Sequence, residues 1–271
     1  KRQQAASDID FTITDEVTFK LDTVPFSHLH NYSQFSILQS TSSVSGLIKA
    51  AIKNKMKAVA ISDLGNMMGV YNFVTEIDNH NKAILKANSE LEEGGKPQDT
   101  LKPIVGCVFN VCEDHNDRTH KDNGYQALLL AKNKKGYYNL AKMASIAYTE
   151  GFYYVPRIDK EIVKQYKNDI IVLSGDIYGE VSSKILNIGE QQAEEALLWW
   201  KEQFEDDFYI ELIRHNQENE DHVNKVLLNF SEKHAIKSVA TNTTYYIDKE
   251  DADAQDILLC VKDNEKRDTP K

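Results

Sequence analysis

Seven short apolar runs, most of them followed by a stretch of helical periodicity, constrain the fold of this chain more than any other feature. They are Phe26–Asn31, Ala58–Ser62, Lys102–Val111, Tyr125–Ala131, Ile170–Ser174, Phe208–Ile213 and Lys237–Asn242. Runs this short and this apolar, bounded by turn residues, predict strands buried on both faces. Val44, Leu47, Ile48, Ala51 and Ile52 recur at helical spacing behind a run of serines that can cap them, so Ser42–Lys57 predicts a helix. Further helices are predicted from the turn at Asp63 to about His80, over Gly136–Thr149, after Pro156, over Gln191–Phe204, near Asp221–His234 and over Lys249–Val261. Residues 81–101, with Gly94, Gly95 and Pro97, read as loop or weak helix, and Glu113–Gly124 as a polar excursion. Strands alternating with helices predict an α/β fold, a parallel sheet closed into a seven-stranded barrel with helices outside. In such barrels chemistry gathers at the C-terminal ends of the strands. Here those ends carry His30 and Tyr32, Asp63 and Leu64, Val108, Gln126, Asp176, and Thr243 to Tyr245.

Composition narrows the function classes. The 271 residues are 41% hydrophobic and 27% charged, with no run approaching a membrane-spanning length. Cys107, Cys112 and Cys260 make no paired framework, and there is no secretory signal, so a reducing cytoplasm is expected. A net charge of -10 argues against tight DNA binding by this chain alone, because such affinity is largely phosphate neutralisation. The acidic excess of residues 190–207 and 216–222 reads as solvated helix faces, and the basic cluster Lys132–Lys135 as a solvated turn. Tyr137 with Tyr138, Phe152 to Tyr154, and Trp199 with Trp200 are candidate interface aromatics, although one member of each set is expected in the core.

One stretch carries a chemical signature. In FSHLHNYSQFSILQS, residues 26–40, a period of two places His28, His30 and Tyr32 on one side and Leu29 and Asn31 on the other. Imidazoles so arranged suit divalent metal, yet such a pair is more often a packing pair in an ordinary core. The later blocks AVAISDLGNMMG, KPIVGCVFNV, GYQALLLAKNKKGYYNLAKMASIAYTEGFYYVPRID, IIVLSGDIYGE, FYIELIRH and VATNTTYYIDKEDADAQDILLCV follow in order. Together these blocks resemble the N-terminal PHP (polymerase and histidinol phosphatase) domains of bacterial replicative DNA polymerases, the DNA polymerase III alpha subunits. The resemblance covers residues 26–262, after a polar extension over 1–25. Residues 263–271 would begin the connection to a polymerase core, and their lack of a terminating element is what a piece of a longer chain would show.

The resemblance implies a distorted seven-stranded, TIM-like (β/α)7 barrel. It also implies metal-ligand positions at His30, Tyr32, Gln39, Leu64, Val108, Gln126, Asp176, Thr243 and Tyr245, of which only His30 keeps the family's residue type. Leu and Val have no lone pairs, amides and hydroxyls are poor ligands, and a phenol must first lose a proton of pKa about 10. No polynuclear metal centre, no cofactor and no catalytic residue is expected in this chain. His28, His30 and Asp176 leave donors for at most one weakly held ion. By resemblance, the full-length protein would be a DNA-directed DNA polymerase, a nucleotidyltransferase using Mg2+. Its PHP domain would be a silent structural and interaction module that contacts its own polymerase core, a separate proofreading exonuclease subunit and other replicase subunits, and meets DNA only through the whole protein. The alternative is a metal-dependent phosphoesterase or exonuclease with a site rebuilt from His28, His30, Asp63, Asp176 and Glu180.

Overall fold

A computed structural model describes residues 24–92 and 95–267. The expectations for residues 1–23, Gly94 and residues 268–271 lie outside the described residues. The elements in chain order are α1 (Val44–Lys53), β1 (Ala58–Ile61), α2 (Val70–Ser89), β2 (Lys102–Cys112), β3 (Tyr125–Ala131), α3 (Lys134–Thr149), β4 (Arg157–Asp159) and α4 (Lys160–Tyr166). There follow β5 (Ile170–Leu173), α5 (Glu180–Asn187), α6 (Glu190–Phe204), β6 (Phe208–Ile213), α7 (Glu220–His234), β7 (Ser238–Thr241) and α8 (Ala252–Asp263). The predicted serine cap operates at α1: the Ser43 hydroxyl accepts the Gly46 N–H at 3.0 Å, and Val44, Leu47, Ile48 and Ala51 form the buried stripe.

The sheet runs β1-β2-β3-β5-β6-β7, with β4 paired to β2 off this path. Its curl is closed by the extended chain around His30. The Ala60 N–H donates to the His28 carbonyl at 3.1 Å on the β1 side, while Tyr32 N–H and the Thr244 carbonyl, and Thr244 N–H and the His30 carbonyl, pair at 3.1 Å beyond β7. Alternation then sorts the strands into two faces. Val108, Leu128, Leu130 and Leu173 point into the barrel with Tyr32. Cys107, Phe109, Leu129 and Val172 face the helices, where Leu140, Met143, Leu197, Trp200 and Phe230 cover them. A smaller cluster seats α1 and α2 against β1.

Several expectations are corrected. The sheet is not all parallel, since β3 is antiparallel to both β2 and β5. The polar excursion after β2 contains no crossover helix, so the chain comes back as an antiparallel neighbour. Phe26–Asn31 makes only an isolated bridge, Asn31 to Thr244, and the seventh strand is instead the short β4. Helix α2 continues to Ser89, and Asn81 on it clamps the following loop through its side-chain amide and Leu101, at 2.8 and 2.9 Å. Helix α5 lies between the Ile170–Ser174 and Gln191–Phe204 predictions, where no helix is predicted. Among the described residues no helix is long and apolar enough to cross a membrane.

Candidate functional site

The mouth of the barrel is built around a buried imidazole. His30 is 1% exposed, and its Nδ1 lies 2.8 Å from the Glu211 carboxylate on β6. Its Nε2 lies 3.2 Å from the Tyr32 hydroxyl, which in turn stands 3.5 Å from Gln126 Oε1. Burial alone would depress the His30 pKa, but the Glu211 charge and hydrogen bond, with Asp176 nearby, raise it above the ordinary histidine value. The Thr241 hydroxyl also donates to Glu211 Oε1, at 2.5 Å, while Oε2 is buried with no hydrogen-bond partner. His30 and Tyr32 therefore share a side, as the period of two predicts. Glu211, their central partner, is absent from the sequence-derived set.

The other positions close the site with carbon and phenol. Leu64 bridges to Val108, and both pack with Tyr32 and Tyr245 in the barrel's interior cluster. The Tyr32 and Tyr245 rings stack at 4.9 Å. Burial pushes both phenols above their ordinary pKa, and neighbouring acids push them further, so neither offers a phenolate ligand near neutrality. Thr243 has a buried hydroxyl without a partner, and Gln39 is tied through its carbonyl to Gln255 of α8 at 3.3 Å. Asp176 follows Gly175, whose φ of +84° and close approach to the Gln126 carbonyl suit glycine. The Asp176 carboxylate accepts the Tyr178 N–H at 2.8 Å, and burial raises its pKa although His30 pulls the other way.

These donors do not fit a polynuclear metal centre. Both His30 nitrogens are engaged, and Leu64 and Val108 supply no donor atoms. His28, His30 and Asp176 are not brought together as ligands. Among the described residues the one group of three His, Cys, Asp or Glu whose ligand atoms lie within 4.8 Å of one another is Asp114, His115 and Asp159. The residues of the rebuilt-site alternative also disperse. Asp63 accepts from Ser33 N–H, Ser33 Oγ and Ser36 Oγ at 2.7, 2.7 and 2.6 Å, holding the loop after Tyr32; burial raises its pKa against those bonds. Glu180 binds Lys160, Lys184 and the Trp200 indole N–H at 2.9, 2.8 and 3.0 Å among the helices.

Asp114 and His115 of this group lie in the polar excursion Glu113–Gly124, and Asp159 at the end of β4. Asp159 caps α4, its Oδ1 accepting Glu161 and Ile162 N–H at 3.0 Å, while Oδ2 accepts the backbone and ring N–H of His115. Burial opposes ionisation of Asp159, but these bonds outweigh it and hold its pKa below the usual range. Beside it, Arg157, 1% exposed, spends its guanidinium on the carbonyls of Gly151, Asp122, His115 and Asp117. The arrangement is a loop anchor.

Comparison with known proteins agrees with the fold. The family model of the PHP domain matches residues 28–215. DNA polymerase III subunit alpha of Borreliella burgdorferi is 35% identical over 240 residues, 87% of this chain and 19% of that protein. The Thermus aquaticus protein of the same name is 35% identical over 253 residues, 91% of this chain and 19% of its own length. The chain thus spans about a fifth of the length of the curated relatives it matches. A solved structure from Bifidobacterium adolescentis, described as a metal-dependent phosphoesterase, superposes with TM-score 0.52 at 10% identity, covering 82% of this chain and 88% of that one, a likeness of fold alone.

Proposed function

The chain belongs to the PHP domain family, and from that premise we propose that it is the PHP module of a DNA polymerase III alpha subunit whose own hydrolytic site is silent. In this reading the rest of such a protein performs template-directed nucleotide transfer with Mg2+ in the cytoplasm. The module buttresses that core, meets DNA only through it, and offers a surface to a proofreading exonuclease and other replicase subunits. The observation that carries the silent-site half is the plug of Tyr32, Leu64, Val108 and Tyr245 in one apolar cluster, where the family pattern calls for metal ligands. Leu64 and Val108 supply no lone pairs, and Tyr32 and Tyr245 hold their phenol protons well past neutrality, so the cluster offers an ion no ligand set.

The His30–Glu211 pair is then a neutralised remnant that joins the closing segment to β6. With both imidazole nitrogens occupied, it has no free base to present to a water. The test is hydrolysis of bis(p-nitrophenyl) phosphate by the chain with Mn2+ and Zn2+ supplied. The expected rate matches the metal-only control and is unchanged in His30→Ala. A metal-dependent rate that disappears in that variant would establish the phosphoesterase alternative instead.

A further inference from the structure

On the outside of the barrel, an apolar groove of about 480 Å³ lies between the first turns of α2 and the first turn of α3. Val74, Pro103, Val105 and Tyr137 line it, and Tyr71, 77% exposed, stands beside them. Its rim is Lys132, Asn133 and Lys134, part of a basic cluster in a chain of net charge -10. Lys132 is committed to Asp207 at 2.7 Å. Lys134 rests over the Tyr138 ring at 5.9 Å, and among the described residues neither it nor Lys135 has an ion pair. Helix α3 has no acidic residue in its first turn, so its positive end adds to the same rim.

We propose that this groove docks an acidic amphipathic segment of a partner protein. Apolar side chains of the segment would occupy the groove, and its Asp or Glu residues would lie over Lys134, Lys135 and the amino end of α3. Charge complementarity selects this occupant. An apolar floor beside uncompensated cations, on a body that otherwise repels acids, favours a ligand carrying both features and disfavours a basic one. Nucleic acid is a poorer fit, because two free lysines give little phosphate neutralisation and the floor is aliphatic as much as aromatic. The inference rests on the reading of the chain as an interaction module and gives that module a surface and a ligand chemistry.

The test selects a phage-displayed library of random dodecapeptides on the 271-residue chain, then measures the enriched peptides by fluorescence anisotropy. The expected peptides carry Asp or Glu beside Phe, Leu or Trp. Their affinity should drop by about tenfold with Val74→Asp, by a smaller factor with Lys134→Glu combined with Lys135→Glu, and further as salt rises. Both variants lie at solvent-accessible positions, and circular dichroism verifies that they fold. No enrichment, peptides without acidic bias, or binding indifferent to both variants would overturn the proposal. So would a concentration-dependent dimer abolished by Val74→Asp, which would give the groove to a second copy. The phosphodiester assay decides the silent site separately, so failure of that reading is distinguishable from failure of this one.

Discussion

Two buried histidine–carboxylate pairs serve opposite ends in this molecule. At the junction of β4 and α4, the Asp159 carboxylate has all its bonding directed inward, to the first turn of α4 and to His115 of the loop after β2. At the barrel mouth, Glu211 has one oxygen crowded by His30 and Thr241 and the other buried without a partner. The first pair is saturated by its own backbone and secures a local structure. The second is under-satisfied, and Leu64, Val108 and the stacked Tyr32 and Tyr245 rings stand around it. Ligation capacity depends on the whole ring of donors rather than on a surviving His–carboxylate pair.

The contrast can be broken by substitution. The largest effect is expected from Asp159→Ala, which removes a helix cap and strands His115, costing about 3 kcal/mol in denaturant unfolding. Adding His115→Ala should recover little, because the α4 cap is still missing. Glu211→Gln should cost about 2 kcal/mol by leaving His30 without its counter-charge. Combining it with His30→Gln should recover most of that loss, and a double-mutant cycle measures the recovery. Equal recovery in both pairs would erase the distinction.

A smaller effect comes with pH. Folding raises the His30 pKa, so the native state holds that proton more tightly than the unfolded chain does. Its stabilisation is full below about pH 6.5 and is lost as pH rises through the raised native value, at no more than about 1.4 kcal/mol per pH unit. Asp176 and Asp63, also raised, lose stability with rising pH in a lower window that starts near the ordinary aspartate value. Unfolding measured from pH 5 to 9 should show the upper loss in the native chain and not in the His30→Gln, Glu211→Gln double variant. The smallest effect is expected for Tyr32→Phe, under about 1 kcal/mol, because its hydroxyl makes only bonds of 3.2 and 3.5 Å while the ring fills the barrel. A larger loss would make the phenol a bonded member of the site rather than a filler.

Much of this was legible in residue order. The apolar runs locate β1, β2, β3, β5 and β6 to within a few residues, because barrel strands buried on both faces need uninterrupted apolar sequence, and β7 falls within its predicted run although Ser238 and Ala240 are exposed. Strand direction is not written in that pattern, and the reversal at β3 had only the missing crossover helix as its signal. Glu211 is not marked by residue order, because it is a lone acid in an apolar run and no motif ties it to His30, 181 residues away. A charged residue within an otherwise buried strand needs a partner. His115 was hidden for another reason: a polar excursion suggests solvent, and only the fold brings it to Asp159, 44 residues on.

The central claim is most directly tested by elemental mass spectrometry of the purified 271-residue chain, dialysed with zinc and manganese offered and no chelator. An emptied mouth predicts well below one ion per chain, with His30→Ala unchanged. Two or three ions per chain, lost in His30→Ala, would contradict it and show that other residues have rebuilt a hydrolytic centre around the His30–Glu211 pair.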